Sequence, residues 1–232
     1  MKNLNVSHIV RLLVADADRV RRGRPGIAPE LERCLDSLAP VRSPEDVFAR
    51  QSAALWKARI GQRFGYRSLS EYRASLPTLR PAPEDVVARF PIPLLVEARI
   101  GLVQACRLAG LLYDGDDRTL VPQGKRVSRS PSAYWIRVQD GRQNRGRSAR
   151  ECRKRFGRDE IGLTAIEGVA LYVQHPDILD RFFVDLPGSV HHRNRDSEAF
   201  LGEWDGIPGL YWAWNDHAHP ECGSASRWSR RT

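Results

Sequence analysis

A short stretch of the sequence, WNDHAHPEC, gathers side chains of the types that bind metals and move protons. It runs from Trp214 to Cys222 and includes Asp216, His217 and His219. If the apolar strand before it continues to His219, successive side chains alternate between two faces, so the two imidazoles share one face and Asp216 lies on the other. Because imidazole nitrogen and thiolate sulfur are common zinc ligands, His217, His219 and Cys222 form a candidate zinc site.

A closed zinc site needs a fourth ligand, which this stretch does not supply. The motif VHHRNRD offers His191 and His192, and five of the six His of the chain follow residue 174. Against a metal, the spacing H-x-H-x-x-C is not typical of a closed zinc site, and Pro220 and Gly223 are typical of an exposed turn. Three interpretations therefore remain open: a zinc site, a metal-dependent hydrolase with Asp216 as its base, and a polar turn.

A second candidate region is strongly basic. Between Arg118 and Arg158 the chain has 13 Arg or Lys residues and two acids, a net charge of +11, whereas the whole chain carries +9. The motif YWIRVQDGRQNRGRSARECRKRF interleaves these cations with aromatic side chains, a composition typical of surfaces that bind phosphate backbones. The candidate nucleic-acid-binding residues are Arg137, Arg142, Arg145, Arg147, Arg150, Arg153, Lys154 and Arg155.

Two further features favour an anion as the partner of this segment. Arg forks match the geometry of phosphate and carboxylate, and Ser148 predicts a helix N-terminus beside the cations, which also attracts anions. The sequence therefore predicts non-catalytic binding of nucleic acid or another polyanion, and in the absence of an RNP, KH or zinc-finger pattern it does not distinguish DNA from RNA. The alternatives are a metal-dependent enzyme, an interaction module that meets an acidic protein surface, and a structural domain without a ligand.

The cysteines indicate the compartment more than the chemistry. The four of them are scattered without a disulfide pattern, which is typical of reduced thiols in the cytoplasm. Cys152 lies among cations that favour a thiolate, yet no base is close to it in sequence, so we interpret it as a core thiol. No apolar run approaches the length of about 18 residues that a membrane helix needs, and no signal-peptide pattern is present. We therefore expect a soluble cytoplasmic protein without a membrane partner.

The elements that must position these residues change in type along the chain. The first part predicts helices: Ser43 and Pro44 form a strong helix start, and LLVEARIGLVQACRLAG has helical spacing up to its final glycine. The dipeptide Asp114-Gly115 then predicts a hairpin turn between apolar flanks. The alternating pattern of residues 133–138 predicts a strand.

Two helices and two strands are predicted in the remainder. RSARECRKRFG predicts a short basic helix capped by Ser148, and GLTAIEGVALYVQHPDIL predicts an apolar helix with Thr164 and Glu167 as its capping box. EAFLGEWDGIPGLYWAWND predicts two strands around a turn at residues 205–209. The basic segment is thus expected to lie on a strand, a loop and a helix in succession.

This order of elements indicates an α+β fold, with a helical N-terminal part followed by a mixed, mainly antiparallel β part that contains an inserted helix pair. The helical region covers residues 1–112 and the mixed region, with the basic segment, covers residues 113–232; one continuous domain is the alternative. Trp212 and Trp214 would share one strand face, and we expect that face in the core. If it is open instead, the two rings could stack on sugars or bases.

Overall fold

The computed structural model describes residues 43–124, 132–180 and 182–230. The helices predicted before residue 43 lie outside the described residues. The described helices are α1 (Pro44–Lys57), α2 (Leu69–Ala74), α3 (Glu84–Arg89), α4 (Leu102–Ala109), α5 (Ala149–Arg155) and α6 (Ala165–Gln174). The described strands are β1 (Ile92–Val96), β2 (Leu120–Pro122), β3 (Tyr134–Gln139), β4 (Glu160–Gly162), β5 (Phe183–His191), β6 (Asn194–Trp204), β7 (Ile207–Trp214), β8 (Cys222–Ser224) and β9 (Ser226–Trp228). Helices dominate the first half and strands the second, which confirms the predicted α+β class.

The strands form two sheets. The first sheet has the order β1-β3-β9-β4, and all its neighbours are antiparallel. The second sheet has the order β2-β5-β6-β7, and its neighbours are also antiparallel. β8 pairs in parallel with the start of β5, and β2 pairs with its end. Only Ala225 separates β8 from β9, so the chain crosses from the second sheet to the first within one residue. The N–H of Ala225 donates to the Asp185 carbonyl and its own carbonyl accepts from Leu163, which fixes the crossing.

The helix α6 covers one face of the second sheet. Thr164 and Glu167 form the predicted capping box at its start, and each side chain accepts a hydrogen bond from the other residue's backbone N–H. Gly168 lies directly against Leu186 of β5, so that a Cβ at this position would collide with the Leu186 side chain. Leu186 has no exposed surface. The close approach that glycine permits therefore joins helix and sheet in one apolar core.

The described residues between Pro44 and Thr232 form one compact unit, which spans both sides of residue 112. β1 from the first half of the chain pairs along its whole length with β3 from the second half. Among the described residues, no helix combines the length and the hydropathy that crossing a bilayer would need.

Two local predictions are wrong. The apolar run LLVEARIGLVQ is not helical from its start, because residues 92–96 form β1 and α4 begins only at Leu102. The outer edge of β1 is closed by two glutamine side chains: Gln51 accepts from the N–H of Leu95, and Gln174 donates to the Leu95 carbonyl. A fully buried apolar run does not reveal its period, so pattern alone does not separate such a strand from a helix.

The second error concerns the hairpin predicted at Asp114-Gly115. The segment before β2 is a loop, in which the N–H of Asp116 donates to the Thr119 hydroxyl at 2.9 Å and the Tyr113 hydroxyl donates to the Asp116 carbonyl at 2.9 Å. These local bonds compete successfully with strand pairing. β2 pairs with β5 instead of with the residues that precede the loop.

Candidate nucleic-acid interface

The residues of WNDHAHPEC do not come together as the alternation argument predicts. β7 ends at Trp214, so His217 and His219 lie in the turn after it and are exposed. The Nδ1 atom of His219 accepts a hydrogen bond from the N–H of Glu221 at 3.3 Å. In residues 43–124, 132–180 and 182–230 there is no group of three His, Cys, Asp or Glu side chains placed to hold a metal ion. The candidate set of His217, His219 and Cys222 thus has no ligand geometry in the described part of the chain.

The other two histidines considered as ligands belong to a ring cluster. His191 and His192 have ring centroids 5.0 Å apart, and His191 lies 5.3 Å from the ring of Trp212. Trp212 also contacts Tyr113 edge to face at 6.4 Å. Trp212 and Trp214 keep 37% and 62% of their surface exposed, so the prediction that both lie in the core is wrong. Trp212 thus packs against Tyr113 and His191 at the surface, and Trp214 is the more exposed of the two.

Within WNDHAHPEC, Asn215 connects two secondary-structure elements, a role that the sequence analysis did not predict. Its side chain is buried, and its Oδ1 atom accepts from Nε of Arg150 at 3.0 Å. Its backbone carbonyl accepts from the N–H of Arg150 at 2.8 Å, and its own N–H donates to the Asp196 carbonyl. Asn215 therefore ties the first turn of α5 to the end of the β6–β7 hairpin. The signal for this role was the Asn directly after an aromatic strand, a residue type that often bonds to nearby backbone.

The loop before α5 is anchored on β8. Gly141 has a φ of 104°, a conformation that favours glycine. It lies so close to Gly223 of β8 that a Cβ on either residue would collide with the other residue's carbonyl oxygen. Asn144 donates to the Ser224 carbonyl at 2.8 Å, and the N–H of Gly146 donates to the Cys222 carbonyl at 3.1 Å. The basic loop thus has a defined course over the second sheet.

The predicted basic helix is confirmed, with Ser148 and Glu151 as a capping box. Three of the predicted phosphate-binding cations, however, pair with acids of this chain. Arg142 binds Asp140 at 2.7 Å. Arg150 binds Asp196 at 2.9 Å, and Arg153 forms a short ion pair with Glu198. These pairs neutralise part of the charge excess that the segment has in sequence.

A fourth predicted cation, Arg137, lies on β3 and is half-buried. Desolvation lowers the pKa of its guanidinium, and its Nε atom has no hydrogen-bond partner within the described residues. Its position inside the first sheet separates it from the loop and helix that carry the other seven cations. Arg137 is therefore a poor candidate for contact with a large polyanion.

The remaining four cations form what we call the unpaired cations: Arg145, Arg147, Lys154 and Arg155. Within the described residues, none of them has a carboxylate oxygen within 4.0 Å. Arg147 is half-buried and the other three are exposed. The guanidinium carbon of Arg145 lies 5.7 Å from the ring centroid of Phe182, and its Nε donates to the Pro220 carbonyl at 3.3 Å. The structure thus divides the eight predicted binding residues into three cations paired with acids, four unpaired cations and the half-buried Arg137.

An acid pair that the sequence analysis missed lies beneath α5, with Glu198 buried and Asp185 half-buried. Glu198 of β6 forms the ion pair with Arg153, whose charge also acts on Asp185 of β5, and the Ser224 hydroxyl donates to Asp185 at 3.4 Å. Burial raises the pKa of Asp185 to about 7. Burial and the charge of Asp185 raise the pKa of Glu198 to about 8. With one cation between two acids, the cluster retains a proton near neutral pH. The signal in the sequence was an acid inside each of the apolar runs FVDLPGSV and SEAFL.

Cys152 faces this cluster from α5 and is buried, as the core interpretation predicted. Burial raises the pKa of its thiol, which outweighs the effect of the neighbouring cations. Burial likewise raises the pKa of Cys222 to about 12. Neither thiol has the low pKa that a nucleophilic cysteine needs.

Beyond α5, the same face of the second sheet carries four aromatic rings, which we call the aromatic face: Phe183, Phe200, Trp204 and Tyr211. Their ring centroids are linked in a chain, with Phe183 at 5.7 Å from Trp204 and 6.4 Å from Phe200, and Phe200 at 5.5 Å from Tyr211. Trp204 is 56% exposed, and the other three rings are half-buried. Helix α5, which carries Lys154 and Arg155, and this ring surface therefore lie on the same face of the second sheet.

The described residues also line an open pocket of about 310 Å³ between the starts of α4 and α6. Its charged groups already have partners. Arg99 binds Glu97 at 2.6 Å, and Asp117 caps the first turn of α4. Glu167 binds Arg227 at 2.9 Å and caps α6. The pocket offers less uncommitted charge than the surface beside α5.

Comparison of the chain with models of protein families, with curated proteins and with solved structures found no match.

Proposed function

We propose that the protein binds the phosphate backbone of a nucleic acid through the unpaired cations on the loop and helix α5. The observation that carries this proposal is that three of the predicted cations pair with acids of the chain, whereas four have no described carboxylate partner. Arg145, Arg147, Lys154 and Arg155 are not neutralised by a described carboxylate, so their charge is available to a partner. Phosphate contacts of this kind supply affinity without reading sequence.

The paired cations support the proposal by a different route. Arg150 and Arg153 fasten α5 to Asp196 and Glu198 of β6, which fixes the direction in which Lys154 and Arg155 point. A rigid support reduces the entropy that binding must remove. Arg150 and Arg153 therefore act by positioning α5 and its unpaired cations, and they add little charge of their own to the binding surface.

The test is the salt dependence of binding to a labelled oligonucleotide. Each phosphate contact contributes about −0.9 to the slope of log K against log salt on duplex DNA, so up to four contacts predict a slope of at most about −4. The double variant Arg145→Ala/Arg147→Ala should weaken binding and make the slope shallower by about two. Fluorescence anisotropy over a range of salt concentrations measures both quantities.

Arg80→Ala provides the matched control, because Arg80 is an exposed cation outside the basic segment. It should leave both the affinity and the slope unchanged. Binding that is absent, or that does not weaken with salt, would rule out the proposed function. Equal losses in Arg80→Ala and the double variant would show a nonspecific effect of total charge and would count against the site.

A further inference from the structure

The aromatic face lies on the same face of the second sheet as α5, and contacts with phosphates alone would not require such a ring surface. We infer that the ligand is a single-stranded nucleic acid, whose bases stack on Trp204, Phe200 and Tyr211 while its phosphates meet the unpaired cations. This inference rests on the proposed function, since it names the kind of nucleic acid that the same site selects. Single-strand binding surfaces combine these two elements, an aromatic platform and a positively charged border.

The register of the sheet places the rings on one surface. Asp185 pairs with Phe200 and Phe200 pairs with Tyr211 across adjacent strands, so these three side chains share a face. Phe183 lies two residues before Asp185, and Trp204 four residues after Phe200, so strand alternation adds both to that face. The ring contacts at 5.5–6.4 Å agree with this assignment.

Two glycines let the rings lie along the sheet. Gly202 and Gly209 face each other across β6 and β7. A Cβ at Gly202 would lie 3.1 Å from the Phe200 ring, and one at Gly209 would collide with the Tyr211 ring. Each ring thus covers the space that a neighbouring side chain would otherwise fill. A ring that lies over the backbone has one side on the sheet, and its other side is available for a base.

The platform adjoins the helix α5. Glu198, which holds Arg153 of α5, lies two residues before Phe200 on the same face of β6. Lys154 and Arg155 follow Arg153 on the same helix, so this end of the platform adjoins two of the unpaired cations. From Glu198 to Trp204 the strand extends roughly 20 Å, at about 3.3 Å per residue. That length exceeds one base and allows more than one stacking position.

The Tyr211 hydroxyl of the platform carries no charge at neutral pH. Burial and the neighbouring Asp114 raise the pKa of Tyr211, so its hydroxyl stays neutral at physiological pH. Trp204 lies at the open end of the platform and is its most exposed ring. It is therefore the side chain whose removal should affect stacking most and folding least.

The test compares an oligothymidine of about 12 nucleotides with a duplex of equal length, for the full chain and for Trp204→Ala. Loss of one stacked base should weaken single-strand binding by about 5- to 100-fold. Duplex binding and the salt slope should change little, because the phosphate contacts remain. Trp204→Phe should recover most of the single-strand affinity. Trp214→Ala is the matched control, since Trp214 is similarly exposed on the opposite face.

The outcomes separate the inference from the proposed function. Salt-dependent binding that is equal for single strand and duplex and indifferent to Trp204→Ala would overturn the stacking inference and leave phosphate binding intact. No salt-dependent binding of either oligonucleotide would overturn the proposed function itself. Equal losses in Trp204→Ala and Trp214→Ala would also contradict the inference. Binding of a neutral polysaccharide that requires Trp204, without binding of oligothymidine, would assign the aromatic face to sugars and overturn it.

Discussion

The two faces of the second sheet are built from the same strands but covered in different ways. On one face α6 packs so closely that Gly168 touches Leu186, and the side chains between them are apolar and buried. On the other face α5 covers only one end, above Asp185 and Glu198, and the rings of the aromatic face continue beyond it. The first arrangement is typical of a core and the second of a surface kept open for a partner. The comparison predicts that the two faces respond differently to substitution.

The largest difference should be in stability. Leu186→Ala on the closed face removes a fully buried side chain against α6 and should lower the free energy of unfolding by about 2–5 kcal/mol. Trp204→Ala on the open face removes a ring that is more than half exposed and should cost well under about 1 kcal/mol. Urea denaturation of both variants measures the contrast. Similar costs for the two would show that something packs on the aromatic face in solution.

The second prediction concerns the acid pair, and its sign follows from the raised pKa values. Burial raises the pKa of Asp185 to about 7 and that of Glu198 to about 8 in the folded protein, above the value of about 4 in an unfolded chain. Such groups favour folding when protonated, so their contribution to stability decreases as the pH rises from about 4 to about 8 and is constant above that.

Asp185→Asn removes one of the two ionisations while it keeps the shape of the side chain. It should become more stable than the unmodified protein by about 1–3 kcal/mol at pH 8, with the advantage disappearing near pH 4. Thermal unfolding between these pH values tests the prediction. Glu203→Gln is the control, because it removes an acid that is exposed. An advantage that grows as the pH falls would mean that Asp185 is stabilised as an anion, contrary to the buried cluster described above.

The smallest effect is expected at Arg150, whose contacts hold α5 on the open face. Arg150 contacts Asp196 and Asn215, but 42% of its side chain is exposed. Arg150→Ala should therefore cost about 0.5–1 kcal/mol, and less at high salt. Lys154→Ala, on the same helix without a described acidic partner, should have no measurable effect on unfolding. A loss above about 2 kcal/mol for Arg150→Ala would indicate that this one residue holds the helix in place.

Local signals in the sequence predicted the elements of both faces well. The capping boxes at Ser148 and Thr164 are present, because a cap depends on residues within one helical turn. The hairpin predicted between β6 and β7 turns at Asp205 and Gly206, both with positive φ, as a tight hairpin with this dipeptide requires.

Features that depend on distant residues were not predictable in the same way. The charge count of the basic segment could not show that Arg150 and Arg153 pair with Asp196 and Glu198, because about 45 residues separate the partners. Nor could alternation show that β7 stops at Trp214, since the end of a strand is set by its pairing with β6. For the same reason the sequence led us to expect Trp212 and Trp214 in the core, with stacking only as the alternative, and did not show that Phe200, Trp204 and Tyr211 share one face.

The crossing at Ala225 has a consequence for the time at which this unit can fold during synthesis. β9 is made late in the chain but lies between β3 and β4 in the first sheet, and β4 has no other strand partner among the described residues. β8, made just before it, completes the edge of β5 in the second sheet. Neither sheet can reach its final hydrogen bonding until residues 222–228 have emerged from the ribosome. The basic loop that rests on β8 therefore acquires its native course only after residues 222–224 have been made, and a shorter nascent chain lacks the strand that supports this loop.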